Sequence, residues 1–251
     1  MKTLASDLLS NLAPELPEKK ESFSYRTGIL EHMINSFKEY AMRINIKDEY
    51  LEPPLIRLPS ATNAEIQQFY ELVAQQKIVQ DIRGHIVPYL NTLFNNSCEK
   101  ELTFTPLSDR DTHNIGECFG SGTAQKLTIN GDVGMWTGQN MSRGLIHVRG
   151  DAGNDTGKYM KGGALVVSGH ITSIGTFSKG TIVCRGTCEK VPLNVGTVYA
   201  RCIGKIEGKW NEFIAKEGRI YNRYEIDDIP PACKATIYVA NKKYWADGKK
   251  V

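Results

Sequence analysis

Long apolar runs are missing from this 251-residue chain: no stretch approaches the ~18 consecutive apolar residues that a membrane-spanning helix needs. The opening segment, MKTLASDLLSNLAPEL, is too briefly apolar for a secretory leader, because Asp7 interrupts it and Pro14 and Pro17 follow. An excess of one charge is missing too. Lys and Arg number 31 against 28 Asp and Glu, a balance of +3 that is too small to imply nucleic acid as a partner. Cysteine is sparse. Cys98, Cys118, Cys184, Cys188, Cys202 and Cys233 are irregularly spaced, which argues against a disulfide framework and for reduced thiols in a cytoplasmic protein. The remaining balance, 41% hydrophobic and 24% charged, is that of a folded chain.

Glycine and proline divide the sequence. Residues 1–100 contain only Gly28 and Gly84, whereas 20 of the 23 glycines fall between Gly116 and Gly218. Proline is absent from Leu107 to Val191. A boundary near residue 100 follows, giving a helical cap or partner-docking region over 1–100, a coil over 101–225 and a capping segment over 226–251. In the first part, Ile29, Leu30, Met33, Ile34, Phe37, Tyr40, Ala41 and Ile44 follow the spacing of one buried helix face, closed by Pro53 and Pro54. A second helix is expected from Ser60 or Thr62, burying Ile66, Phe69, Tyr70, Leu72 and Val73. A third is expected from Ile82 to Phe94, weakened by Gly84 and Pro88.

The second part repeats. It reads LTINGDVGMWTGQNMSRGL (127–145), IHVRGDAGNDTGKYMKGGA (146–164), LVVSGHITSIGTFSKGT (165–181) and IVCRGTC (182–188), anchored at Gly131, Gly150, Gly169 and Gly186. Two turns carry a complete G-x-x-G-x-x-x-G pattern, at Gly131, Gly134, Gly138 and at Gly150, Gly153, Gly157. Each such glycine costs about 0.5–1 kcal/mol in a strand, so the backbone must need them, for positive φ or for coils stacked too closely for a Cβ. Before each anchor, Leu127 and Ile129, Ile146 and Val148, Leu165 and Val167, and Ile182 and Cys184 alternate inward. Thr128, His147, Val166 and Val183 point outward. Stacking like on like makes a parallel β-helix, one coil per repeat.

The text GDVGMWTGQNMSRGLIHVRGDAGNDTGKYMKGGALVVSG (131–169) resembles the GXGXG family, the β-helical domain found in glutamate synthase large subunits and in formylmethanofuran dehydrogenase. DRDTHNIGECFGSGTAQKLTINGD (109–132) is similar to the glutamate synthase version. The resemblance spans about 108–208. It implies a mainly β chain, a right-handed parallel β-helix; the N-terminal α-helical part has no counterpart in that family and is expected to cap the exposed end of the coil. The resemblance also implies a structural or scaffold subunit that docks a partner amidotransferase or oxidoreductase, or forms a homo-oligomer. Flavin, iron–sulfur clusters or molybdopterin would then reside on partners, with no cofactor here. After Gly169 the motif loses a glycine and a residue, so the coil is expected to be short or irregular at its C-terminal end.

Sites read from the sequence are few. GNDTGKY (153–159) fails the P-loop pattern, since three residues separate Gly153 from the next glycine and Tyr159 follows the lysine. Cys184 and Cys188 have a zinc-like spacing but no second pair, so no metal is expected. His113 and Glu117 are candidates for an acid–base pair in a cleft between helices and coil, with Asp132 and Asp151 stacked at equivalent corners. Those aspartates either bind a cation or accept hydrogen bonds from their own turns. Arg143, Lys161 and Lys179 recur 18 apart and are expected to line one coil edge, as a solvated stripe or as a surface for an anionic ligand or partner.

Overall fold

A computed structural model describes residues 24–43, 58, 60–75, 83–108, 112–176, 178–192, 195–207, 219–222, 229, 236–239, 242–246 and 249–251. The opening segment, Ile44, Pro53, Pro54, Ile82 and Cys233 lie outside them.

Three helices precede the strands. Helix α1 (Ser24–Arg43) buries Leu30, Met33, Ile34, Phe37 and Tyr40, the face its spacing predicts. Helix α2 (Asn63–Gln75) starts at a capping box: Glu65 N donates to Thr62 Oγ1 at 3.4 Å while Thr62 N donates back to Glu65 Oε2 at 2.8 Å. Helix α3 (Arg83–Asn96) runs through Pro88 and buries Tyr89, Leu90, Leu93 and Phe94. Tyr89 sits at the centre, 5.1 Å from Phe37 and 5.2 Å from Phe69 between ring centroids, and its hydroxyl donates to Met33 O at 2.8 Å. None of these helices is long and apolar enough to cross a membrane.

The rest is a parallel β-solenoid of about five turns. Strands β1 (Glu101–Phe104), β2 (Lys126–Ile129), β3 (Leu145–Val148) and β4 (Ala164–Val167) stack in parallel, and short β5 (Ile171–Ser173) joins β6 (Thr181–Pro192). Strand β4 also pairs with β6, and β6 pairs with β7 (Thr197–Glu207). Register places Leu102, Leu127, Ile146, Leu165, Ile182 and Val198 in one ladder, each at most 1% exposed. Burying each such side chain contributes about 1.5–3 kcal/mol before ordering costs. A second ladder of Val133, Ala152, Ile171, Cys188 and Ile203 forms another inner wall. Of the expected outward set, His147, Val166 and Val183 are partly exposed, but Thr128 is buried.

The C-terminal end departs from expectation. Strands β8 (Arg219–Asn222) and β9 (Thr236–Val239) continue the parallel register past residue 225, and Ile220 and Ile237 extend the first ladder. Among the described strands, β10 (Lys242–Ala246) turns back antiparallel to β9, and β11 (Lys249–Lys250) pairs antiparallel with β10. Continuation needs an aliphatic residue every coil, not the glycine motif. Where that motif fades, a register shift between Cys184 and Thr187 bends the long strand instead.

At the opposite end, α2 side chains meet β1. Asn63 Oδ1 accepts Thr103 N at 2.6 Å, Gln67 Oε1 accepts Thr105 N at 3.0 Å, and Gln67 Nε2 donates to Thr105 O at 3.0 Å. Polar side chains thereby replace the backbone groups of a missing neighbour strand. From α3, Asn91 Nδ2 donates to Asn114 O at 2.9 Å and its Oδ1 accepts Gly116 N at 2.7 Å.

Candidate functional site

Two needs account for the repeat glycines. Gly138 has φ +70°, and a Cβ there would stand 2.5 Å from Leu165 Cδ1; Gly131 and Gly157 also have positive φ. Gly169 is different. Its φ is ordinary, but a Cβ would collide with Asp151 Oδ1 and lie 2.9 Å from Gly150 O on the coil beneath. Gly134, Gly150 and Gly153 are likewise closed by the preceding coil. Some corners turn left-handed without glycine: Cys118, Trp136, Asn140, Asp155 and Tyr159 have φ between 55° and 61°.

The carboxylates and imidazoles of the corners face these tight crossings, and each serves the next coil. Asp132 Oδ1 accepts Asp151 N at 2.8 Å, and Asp151 Oδ1 accepts His170 N at 2.7 Å. The expectation that each aspartate serves its own turn is therefore corrected by one coil: with no Cβ at the anchor glycine, the amide just beyond it comes within reach from below. His113 Nδ1 accepts Met135 N at 2.9 Å, and His170 Nδ1 accepts Thr187 N at 3.0 Å. An accepting Nδ1 leaves Nε2 to carry the proton of the neutral ring. Glu117 Oε1 accepts Gln139 Nε2 at 3.1 Å. Among the described residues no hydrogen bond joins His113 to Glu117, and Asp132 and Asp151 stand at a different corner from that pair.

The basic edge does not form as a single row. Backbone bonds from Lys161 N to Met141 O and from Lys179 N to Met160 O place Ser142, Lys161 and Lys179 in one column. Arg143 stands one position along, below Gly162. Its Nε donates to Gly120 O at 2.6 Å and its Nη2 to Gly122 O at 3.3 Å. The reason is arithmetic: the coil from 142 to 161 is 19 residues long, so a spacing of 18 slips by one. Arg143 instead borders an open pocket of about 650 Å³ with Lys100, Thr123, Gln125 and Leu145. None of His113, Glu117, Asp132 or Asp151 lines that pocket.

The thiols lie inside. Cys184 occupies the inward position above Val167, and burial pushes its thiol up to about 11. Cys188 belongs to the second ladder and burial pushes it higher still. Among the described residues no three His, Cys, Asp or Glu side chains are grouped to hold a metal ion.

One cluster escaped the sequence reading. The residues immediately before the anchor glycines, Asn130, Arg149, Ser168 and Arg185, follow the inward Ile129, Val148, Val167 and Cys184 and hence share an outward column. His147, from the adjacent outward column beside Val166, reaches it with Nε2 3.0 Å from Ser168 Oγ. Burial first, then Arg185, Arg149 and Lys126, hold the His147 pKa below its usual value. The signal was the triplet column NGD, RGD, SGH, RGT in the aligned repeats. No protein family, curated protein or solved structure matches the chain.

Proposed function

We propose that this chain is a non-catalytic scaffold subunit of the GXGXG type, a right-handed coil capped by α1–α3 that docks a partner amidotransferase or oxidoreductase in the cytoplasm. One observation carries the reading: the four candidate corner side chains all accept hydrogen bonds from the neighbouring coil, three of them from its backbone. Asp132, Asp151 and His113 each take an amide hydrogen from one coil further on, and Glu117 takes a side-chain amide. Groups used in this way stiffen a column, because each stacking step gains a bond that solvent would otherwise supply. The side-chain bonds from Asn63, Gln67 and Asn91 favour a capping role for the helices. A rigid coil suits docking, since a preorganised face loses little entropy when a partner binds. Any flavin, cluster or molybdopterin would belong to that partner.

Native purification with a mild tag, followed by mass determination of the intact assembly, tests this. The expected result is a fixed stoichiometry with a second protein that itself has amidotransferase or oxidoreductase activity. A monomer at all concentrations overturns it.

A further inference from the structure

We infer that the outer face of the solenoid binds a phosphoryl-type oxyanion above Ser168, between the guanidinium groups of Arg149 and Arg185. This site is independent of the scaffold reading and stands or falls by its own test. Parallel strands lie about 4.8 Å apart, so the main chains carrying Arg149 and Arg185 are separated by about 10 Å, with one strand between them. That strand places a small hydroxyl residue, Ser168, in the column. The result is a column in which a hydroxyl residue lies between two basic residues.

The side chains around Ser168 are oriented. Arg149 Nη1 donates to Asn130 Oδ1 at 3.1 Å on the β2 side, so one arm of its fork is held there and the others remain for the Ser168 side. Among the described residues neither Arg149 nor Arg185 forms an ion pair. His147 on β3 bonds to Ser168 on β4. The charged groups acting on it from the surrounding strands are Lys126 on β2, Arg149 on β3 and Arg185 on β6, all cations. Lys126 is offset by Glu101 at 2.8 Å, and the Asp151 carboxylate stands beside the column, bonded to His170 N. A bound anion would stabilise the two guanidinium groups of the column. Planar guanidinium forks suit the paired oxygens of a tetrahedral oxyanion. His147 then acts as a proton-linked third arm: burial and the surrounding cations hold its pKa low in the free protein, and an arriving anion favours its protonated form.

Ring-proton NMR of His147 in the full-length chain, titrated with sodium sulfate, tests the proposal, because sulfate keeps its charge across the pH range used. Saturable binding is expected, with a rise in the His147 pKa of about one unit and affinity about tenfold tighter at low pH than at high pH. Inorganic phosphate and O-phosphoserine should compete, identifying free and esterified phosphoryl groups as sources. R185Q, at an exposed position with no ion-pair partner among the described residues, should fold normally by circular dichroism and lose about tenfold in affinity. Two results overturn the site: no saturation in wild type, or unchanged affinity in R185Q. An oligothymidylate bound more than about tenfold tighter than phosphate overturns a site for single small phosphoryl groups in favour of a polyphosphodiester backbone.

Discussion

Replacing Gly169 by alanine separates the two explanations of the repeat glycines. The backbone there has ordinary φ, so propensity alone would reward alanine by about 0.5 kcal/mol through the unfolded chain. The coil beneath opposes it. The new methyl meets Asp151 Oδ1 and stands 2.9 Å from Gly150 O, so the coils must part or the carboxylate must move. Overpacking of this kind costs about 1–3 kcal/mol. Moving the carboxylate also breaks its 2.7 Å bond from His170 N, an exposed contact contributing about 1 kcal/mol. The net expectation is a loss of about 2–3 kcal/mol. With a urea dependence near 3 kcal/mol per molar, the unfolding midpoint falls by a little under about 1 M. Gly28→Ala is the control: nothing lies within 4 Å of its added methyl, and in a helix it gains about 0.5–1 kcal/mol. In an Asp151→Ala background the cost of Gly169→Ala drops by about 1 kcal/mol, since one of the two obstacles has gone. Equal midpoints for Gly169→Ala and wild type, or a comparable loss in Gly28→Ala, would refute the stacking argument.

Other outcomes follow from the same geometry. Cys118 has φ +56°, which costs an L-residue about 1–2 kcal/mol, so Cys118→Gly should stabilise by about 0.5–1 kcal/mol after glycine's entropy cost, read from denaturation midpoints. Asn91→Leu removes both bonds to the first corner and leaves Gly116 N unpaired, while Asn114 O keeps its bond from Glu117 N; a loss of about 1–3 kcal/mol is expected, and an unchanged midpoint would show that α3 and the coil are not coupled there. Cys184 holds its proton more tightly folded than unfolded. Its contribution is therefore whole below about pH 9 and disappears as pH rises towards about 11, so Cys184→Val should flatten the stability profile in that window relative to wild type.

Where side chains alternate strictly, the chain could be read directly. Ile146, Leu165 and Ile182 declare an inner wall because period two and complete burial coincide. Phe37 and Phe69 were legible for the matching reason at helical period. Corners were not. Trp136 and Tyr159 give no sign of positive φ, since their side chains ordinarily oppose it; the cross-coil bonds from Trp136 N to Asn154 O and Tyr159 N to Thr176 O impose it. The partners of Asp132 and Asp151 were also hidden, because stacking tells which residues are superposed but not which amide turns toward them. Arg143 falls in a different column from Lys161 and Lys179 for a related reason: spacing counts residues, whereas register counts coils. The oxyanion cluster was written in the aligned repeats, yet a net charge of +3 averages its cations with distant carboxylates.

Successive coils of 19, 19 and 17 residues keep the same superposition, so the strand acts as a fixed tread and the corners absorb any difference in length. Such a staircase has no unique floor. Duplicating residues 145–163 would add one tread that meets familiar contacts above and below, lengthening the column by about 4.8 Å without disturbing either landing. The distance between the two ends is thus a quantity that evolution, or an engineer, can set in whole steps.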